Sequence, residues 1–373
     1  MKRFILALTF CCVATIAMTP AQAKQVLYLA SLGDKKIDVF SLNEKTGKIT
    51  LKSTVKLPGN AGPLSISPCG HFMYAAMTNE SADKKASIAT LKKSPDGSLK
   101  LLRTSKMKTR APYIRIHNSG KLLLAAHYGS GEVTTYRVKQ GLCTDEMLDA
   151  FKTFRTAHCI EIDPSGRFAF VPHTSPNRVY QFVINAQTQR TKPNTQAYVD
   201  GPETGHYYHQ PRHYAHHPTL SVGYTSNERG GGITVWNFDS RSGTLQKMQT
   251  LSTLPVSEDG SKWAAADIQI TPNGKFVYVS NRHIVKSQKE AKDTLAGFSI
   301  DPKTGRVTPV GRFRTEWFSR SFCIDKKGKF IFAAGQRSNQ LAAFRIGKDG
   351  KLKRIATYKT GKVPIWVTTA EVE

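Results

Sequence analysis

The chain has 373 residues, 39% of them hydrophobic and spread along its length, and a formal charge of +27. That supply of apolar residues excludes a disordered chain, and no stretch beyond the N-terminal segment reaches the roughly 18 consecutive apolar residues of a membrane-spanning helix. The charge attracts anions, but the lysines stand singly on turns such as "NEKTGK", "DPKTGR" and "GKDGK". A basic solvated surface is expected, with no specific nucleic-acid partner.

Lys2 and Arg3 precede the apolar run "FILALTFCCVATIAM", and "AQA" follows, ending at Ala23. Basic, apolar and small-residue segments in that order predict a signal peptide over residues 1–23. The mature domain is then 24–373, with a charge of +25 once Lys2 and Arg3 leave. A periplasmic or secreted protein is expected, free of the membrane after cleavage. Cys69, Cys143, Cys159 and Cys323 remain in it; four cysteines allow three pairings, and their spacing selects none.

From residue 26 onward two patterns alternate. The first is a small or Pro-containing lead, alternating apolar residues, a turn, then an aromatic-rich strand. Its copies are "GPLSISPCGHFMYAA", "APYIRIHNSGKLLLAA", "AHCIEIDPSGRFAFVP", "PRHYAHHPTLSVGYTS", "AADIQITPNGKFVYVS" and "SRSFCIDKKGKFIFAA". Their turn positions are Gly70, Gly120, Gly166, Leu220, Gly274 and Gly328, spaced by 50, 46, 54, 54 and 54 residues. The second pattern is a hairpin, from "KIDVFSLNEKTGKITL" to "QLAAFRIGKDGKLKRIA", and it occurs seven times against six complete copies of the first. The missing first half is split between "VLYLA" at residues 26–30 and "VPIWVTTAEVE" at the C-terminus.

Two hairpins per repeat make a four-stranded blade. Seven repeats with one divided between the chain ends predict an all-β, seven-bladed β-propeller, a single domain closed by its N- and C-terminal segments. In such a ring the first strand of each blade lines the central channel, which directs attention to the polar residues of "AHCIEIDP", "QPRHYAHHP", "YTSNERG" and "YVSNRH". The stretch "HYYHQPRHYAHHP" holds five of the eleven histidines, yet Pro211 denies it the helix that an i, i+4 histidine pair would need to hold a metal. As a strand it places Arg212, Tyr214 and His216 on one face and His213, Ala215 and His217 on the other. An arginine beside the histidines disfavours a cation, and no metal is expected. His71, His117 and His127 read as ordinary strand or turn residues.

"QPRHYAHHP…YTSNERG", "AADIQITPNGKFVYVSNR", "SRSFCIDKKGKFIFAAGQRSNQLAAFRI" and "GKVPIWV" together resemble the lactonase family of seven-bladed propellers. That family includes the propeller-type bacterial 6-phosphogluconolactonase and is similar to the fungal carboxy-muconate cyclase. The resemblance covers nearly all of the mature chain. It implies a cofactor-free site in the channel in which a histidine, a glutamate and arginines open a lactone ring. Carried onto this chain, these are His158 of "AHCIEIDP", Arg212 and His213 of the Pro-Arg-His motif, Glu228 of Asn-Glu, Arg282 of Ser-Asn-Arg and Arg320 of Arg-x-Phe. The chain differs from many members in having His173, Thr174 and Ser175 after the third first-half, and a longer basic segment "HIVKSQKEAKD" after Arg282.

Opening a lactone with water needs a base, positive charge for the developing oxyanion and an acid for the leaving alkoxide. His158 or Glu228 suits the base, Arg212 and Arg282 the oxyanion and anion, and His213 and Arg320 substrate binding. The expected substrate is a small anionic or sugar-acid lactone, hydrolysed by a monomer or weak homo-oligomer. A calcium-dependent lactonase would need channel Asp, Asn and Glu where this chain carries Arg and His. The competing function is a non-enzymatic exported propeller binding an acidic ligand or protein partner.

Overall fold

A computed structural model describes residues 24–78, 86–203 and 208–372. The segment 1–23, expected to be a signal peptide, and His206 lie outside the described residues. Among the described residues twenty-eight strands form seven antiparallel four-stranded units, two of them joined by a single pairing between Arg229 and Ala264. In chain order the blades span residues 60–107, 113–152, 161–200, 209–252, 263–314 and 319–359. The seventh is built from both ends of the chain. Its inner strand Pro364–Val372 pairs with Lys24–Ser31, which continues into Lys36–Leu42 and Ile49–Lys56. Three N-terminal strands and one C-terminal strand thus share one sheet, and eight consecutive pairs from Lys24↔Val372 to Ser31↔Pro364 fasten the ring.

The composition of each strand follows its radius. The second strand of a blade is covered on both faces by neighbouring blades, so Leu122–His127, Phe168–His173 and Phe330–Gly335 are buried at every position and read as continuous apolar runs. The outermost strands face solvent on one side and alternate, as in Ile49–Lys56 and Leu352–Lys359. Side chains from adjacent blades interdigitate between the sheets, which is where the apolar clusters lie.

Polar contacts set the spacing between blades. The hydroxyls of Tyr28, Tyr74, Tyr224 and Tyr278 each donate to the carbonyl of a glycine in the next blade's outer turn: Gly97, Gly141, Gly305 and Gly350, at 2.7–2.9 Å. Gly141 shows why the turn needs glycine. Its φ is +78°, and a Cβ there would lie 2.1 Å from the Phe72 ring. At the inner turns, Ser67, Asp163, Thr271 and Asp325 accept backbone N–H groups. His117 and His217 occupy the same repeat position. Each caps its own turn through Nδ1 and reaches the next blade's turn carbonyl through Nε2, at Gly166 and Gly274. The imidazole of His217 therefore secures the turn that has Leu220 in place of glycine.

Candidate active site in the central channel

Counting from each inner-turn position shows how the fold assembles the site. The residue eight positions before it is Gly62, Pro112, His158, Arg212, Ala266 and Arg320 in successive blades; eight positions after it stand Thr78, Tyr128, Thr174, Glu228, Arg282 and Gln336. Residues equally far from a hairpin turn lie across from one another at its open end, so both sets surround one mouth of the channel. All the expected site residues except His213 belong to these two rings, and His213 follows Arg212 directly. Where the first ring carries Gly62 and Pro112, a cavity opens that His158, Arg212, His213 and Arg320 also line.

Two guanidiniums converge on one carboxylate. Arg282 Nη2 donates to Glu228 Oε1 at 2.5 Å and to the Ala265 carbonyl at 3.0 Å, and Arg212 Nε lies 3.4 Å from the same Glu228 oxygen. Burial would raise the pKa of Glu228, but Arg282 and Arg212 outweigh it, and the carboxyl is held below its ordinary range. Arg212 is fully buried. Its Nη1 donates to His213 Nε2 at 3.1 Å, and His213 Nδ1 donates to Asp267 Oδ1 at 2.9 Å. Asp267 is in turn fixed by the backbone N–H groups of Ile268 and Phe322. Burial and the Arg212 charge lower His213 to about 4 even with Asp267 beside it. The ring is therefore neutral and orients Arg212.

Strict strand alternation separates Arg212 from His213, as the sequence reading had it. The structure corrects this. A bulge between Pro211 and His213 shifts the pairing with Val222–Arg229, so both side chains enter the channel. Three histidines of the cluster have separate partners: His213 bonds Asp267, His216 bonds the Tyr214 hydroxyl at 2.9 Å, and His217 caps a turn. No group of three potential metal-ligating His, Cys, Asp or Glu side chains comes together among the described residues. Cys69, Cys143, Cys159 and Cys323 are all unbonded to one another.

His158 is 4% exposed, edge-on to Tyr128 with ring centroids 5.5 Å apart and 5.2 Å from the His213 ring. Its Nε2 is 3.5 Å from Arg320 Nη2, and its Nδ1 is buried with no partner among the described residues. Burial first, then the charges of Arg212 and Arg320, hold its pKa well below the ordinary histidine value. The same burial and crowding of positive charge lowers Arg320 to about 10. The site is a neutral imidazole in a field of guanidiniums with too few carboxylates to balance them, which attracts an anion.

His158 and Arg320 border a pocket of about 700 Å³, completed by Glu228, Arg110, Tyr128, Thr109 and Ser130. Near His213, Tyr113 meets His213 and Trp366 edge-on at 5.2 and 5.0 Å. Tyr128, Arg110 and Asp267 were missed from the sequence. Tyr128 could have been found by counting eight places past the turn. Asp267 stands 54 residues after His213 at the same repeat position.

Residues 26–369 match the family described as lactonase, 7-bladed beta-propeller. The chain belongs to that lactonase family. Proteins named 6-phosphogluconolactonase from Enterobacter sp. (strain 638) and Yersinia pseudotuberculosis are each 30% identical to it, over 92% of this chain and 98% of theirs. The periplasmic gluconolactonase of Pseudomonas aeruginosa shares the fold, with a TM-score of 0.81 at 20% identity over 94% of this chain and all of that one. A ring of charged residues at one channel mouth thus sits beside the pocket in a chain of this family.

Proposed function

We propose that the mature protein is an exported lactonase that hydrolyses a small anionic lactone of the sugar-acid class without a metal. The observation that carries this reading is His158: a neutral imidazole with an unpartnered nitrogen, enclosed by Arg212, Arg282 and Arg320 at the base of a large pocket. The relatives named 6-phosphogluconolactonase support lactone chemistry, and the periplasmic gluconolactonase neighbour supports export.

In this reading His158 takes a proton from water as the water oxygen bonds to the lactone carbonyl carbon. The carbonyl oxygen becomes an oxyanion, stabilised by Arg320 and Arg212. When the ring C–O bond breaks, the imidazolium of His158 returns the proton to the leaving oxygen, and a hydroxy-acid results. Stabilising the oxyanion and the product carboxylate demands positive charge, which the site holds in excess. Glu228 serves as the counter-charge that sets Arg282 and Arg212; with its carboxylate committed to both, the base role falls to His158. Arg110 and Arg320 at the pocket wall would take the anionic group of the substrate.

The test is hydrolysis of a panel of gluconolactones and carboxylated lactones, with and without a phosphate group, by protein beginning at Lys24 and in the presence of chelator. Wild type should exceed the uncatalysed rate on at least one, and His158→Ala, Arg212→Ala and Glu228→Gln should fall well short of it. If folded wild type matches the background rate throughout while still binding an acidic ligand, the protein is a binding propeller. Export is checked by fractionating cells and sequencing the mature N-terminus, expected at Lys24.

A further inference from the structure

A second chamber of about 330 Å³ has Tyr113 and Trp366 in its wall. Pro218, Thr271 and Pro272 line it, which places it toward the inner-turn end of the hairpins, opposite the catalytic mouth. Its polar wall repeats the logic of the first site one level down. Arg115, Glu161 and Gln269 each stand five positions before their turn glycine, and Lys326 two before Gly328.

The acids in this chamber are already committed. Glu161 accepts the Tyr113 hydroxyl and pairs with Arg115 Nε at 3.1 Å, and Asp267 accepts from His213, Ile268 and Phe322. The cations are not. The terminal nitrogens of Arg115 and the ammonium of Lys326 have no hydrogen-bond or ion-pair partner among the described residues. Arg115 and Lys326 both line this wall, and both keep solvent exposure through which an anion can reach them. Like charges facing each other across a concave wall are relieved by an anion between them.

We propose that this chamber is a second ligand site, binding a small hydroxylated carboxylate between Arg115 and Lys326. The neutral groups beside the cations fit the hydroxyls: the Gln269 amide, and the His216 ring, whose Nδ1 is engaged by Tyr214 while the rest faces the chamber. The volume is at the lower end for small-molecule sites. Since His158, Arg212, Glu228, Arg282 and Arg320 do not line this chamber, a ligand here neither touches His158 nor takes part in ring opening.

Two measurements test it on the mature protein. Crystals soaked in sodium bromide should show an anomalous peak between Arg115 and Lys326. L-malate followed by calorimetry should bind about tenfold more weakly to Lys326→Gln, the loss of one charge-assisted contact, while kcat/KM for lactone hydrolysis stays within about twofold of wild type. Binding to the catalytic pocket is separated by Arg320→Gln, which should retain the Lys326-dependent heat. The proposal fails if no bromide peak lies between the two cations, if Lys326→Gln binds malate as wild type does, or if Arg320→Gln abolishes all binding.

Discussion

Arg282 reaches across to the preceding blade and grips Glu228, the residue 54 positions earlier at the same place in the repeat, at 2.5 Å. His213 and Asp267 do the same one level below, again 54 residues apart. The site is thus made of equivalent positions whose identities have diverged between neighbouring blades, and each pair also fastens one blade to the next.

Among the described residues Glu228 is the only carboxylate bordering the candidate pocket, and it faces Arg282 and Arg212 at once. Glu228→Gln leaves both buried guanidiniums unpaired, which should cost roughly 3 kcal/mol, at the low end for breaking a buried pair because Glu228 keeps 24% side-chain exposure. Denaturant unfolding should show the midpoint fall. An unchanged midpoint would mean the pair fastens nothing.

His158 is the opposite case. It has no hydrogen bond through Nδ1 and only a distant contact through Nε2, so His158→Gln should leave stability close to wild type. If the imidazole is the general base, kcat should drop by about 10² to 10⁴. Parallel loss of stability and activity would make it a structural residue.

Acid should unfold this protein by way of its histidines. His173, His213 and His216 are each lowered to about 4, chiefly by burial, against an unfolded value near 6.5. Between those values the unfolded chain binds protons that the folded chain refuses, so stability is complete above about pH 6.5 and falls as pH drops toward 4. Catalysis by neutral His158 should persist below pH 6.5 for as long as the fold survives. Unfolding curves from pH 8 to 4 check the first statement and kcat/KM profiles the second.

Asp293 holds the loop that brings Arg320 to the site. Its Oδ1 accepts the N–H groups of Phe318 at 2.8 Å and Ser319 at 3.3 Å. Phe318 takes a φ of +62°, and its ring lies beneath the guanidiniums of Arg282 and Arg337. Asp293→Ala should release that strained residue and raise KM several-fold with a smaller change in kcat. Asp293→Asn keeps the acceptor oxygen and should restore KM. Equal KM values in both variants would remove Asp293 from any positioning role.

Much of this was legible in the residues. The period of about 50, the seven second halves against six first halves, and the split copy at the chain ends together required a closed ring, because each sheet can cover both faces only against neighbours. The motif residues His158, Arg212, Glu228, Arg282 and Arg320 were marked as a set by resemblance, and the structure brings them to one mouth. Three features escaped. The bulge that turns Arg212 and His213 to the same side depends on pairing with the adjacent strand. The Asp267 carboxylate was hidden because a lone acid in "AADIQI" looks like any strand residue until His213 lies against it. Which of His158 and Glu228 is paired with the arginines depended on distances between blades.

By itself the sequence determined the repeat, the alternation of each strand and the residue types placed at the channel, since these follow from periodicity and from which faces must be dry. Only the tertiary structure decided which charges meet, which nitrogen is left without a partner and which residues border each of two chambers. Those outcomes depend on distances between blades some fifty residues apart, and on the burial that makes a positive neighbour matter.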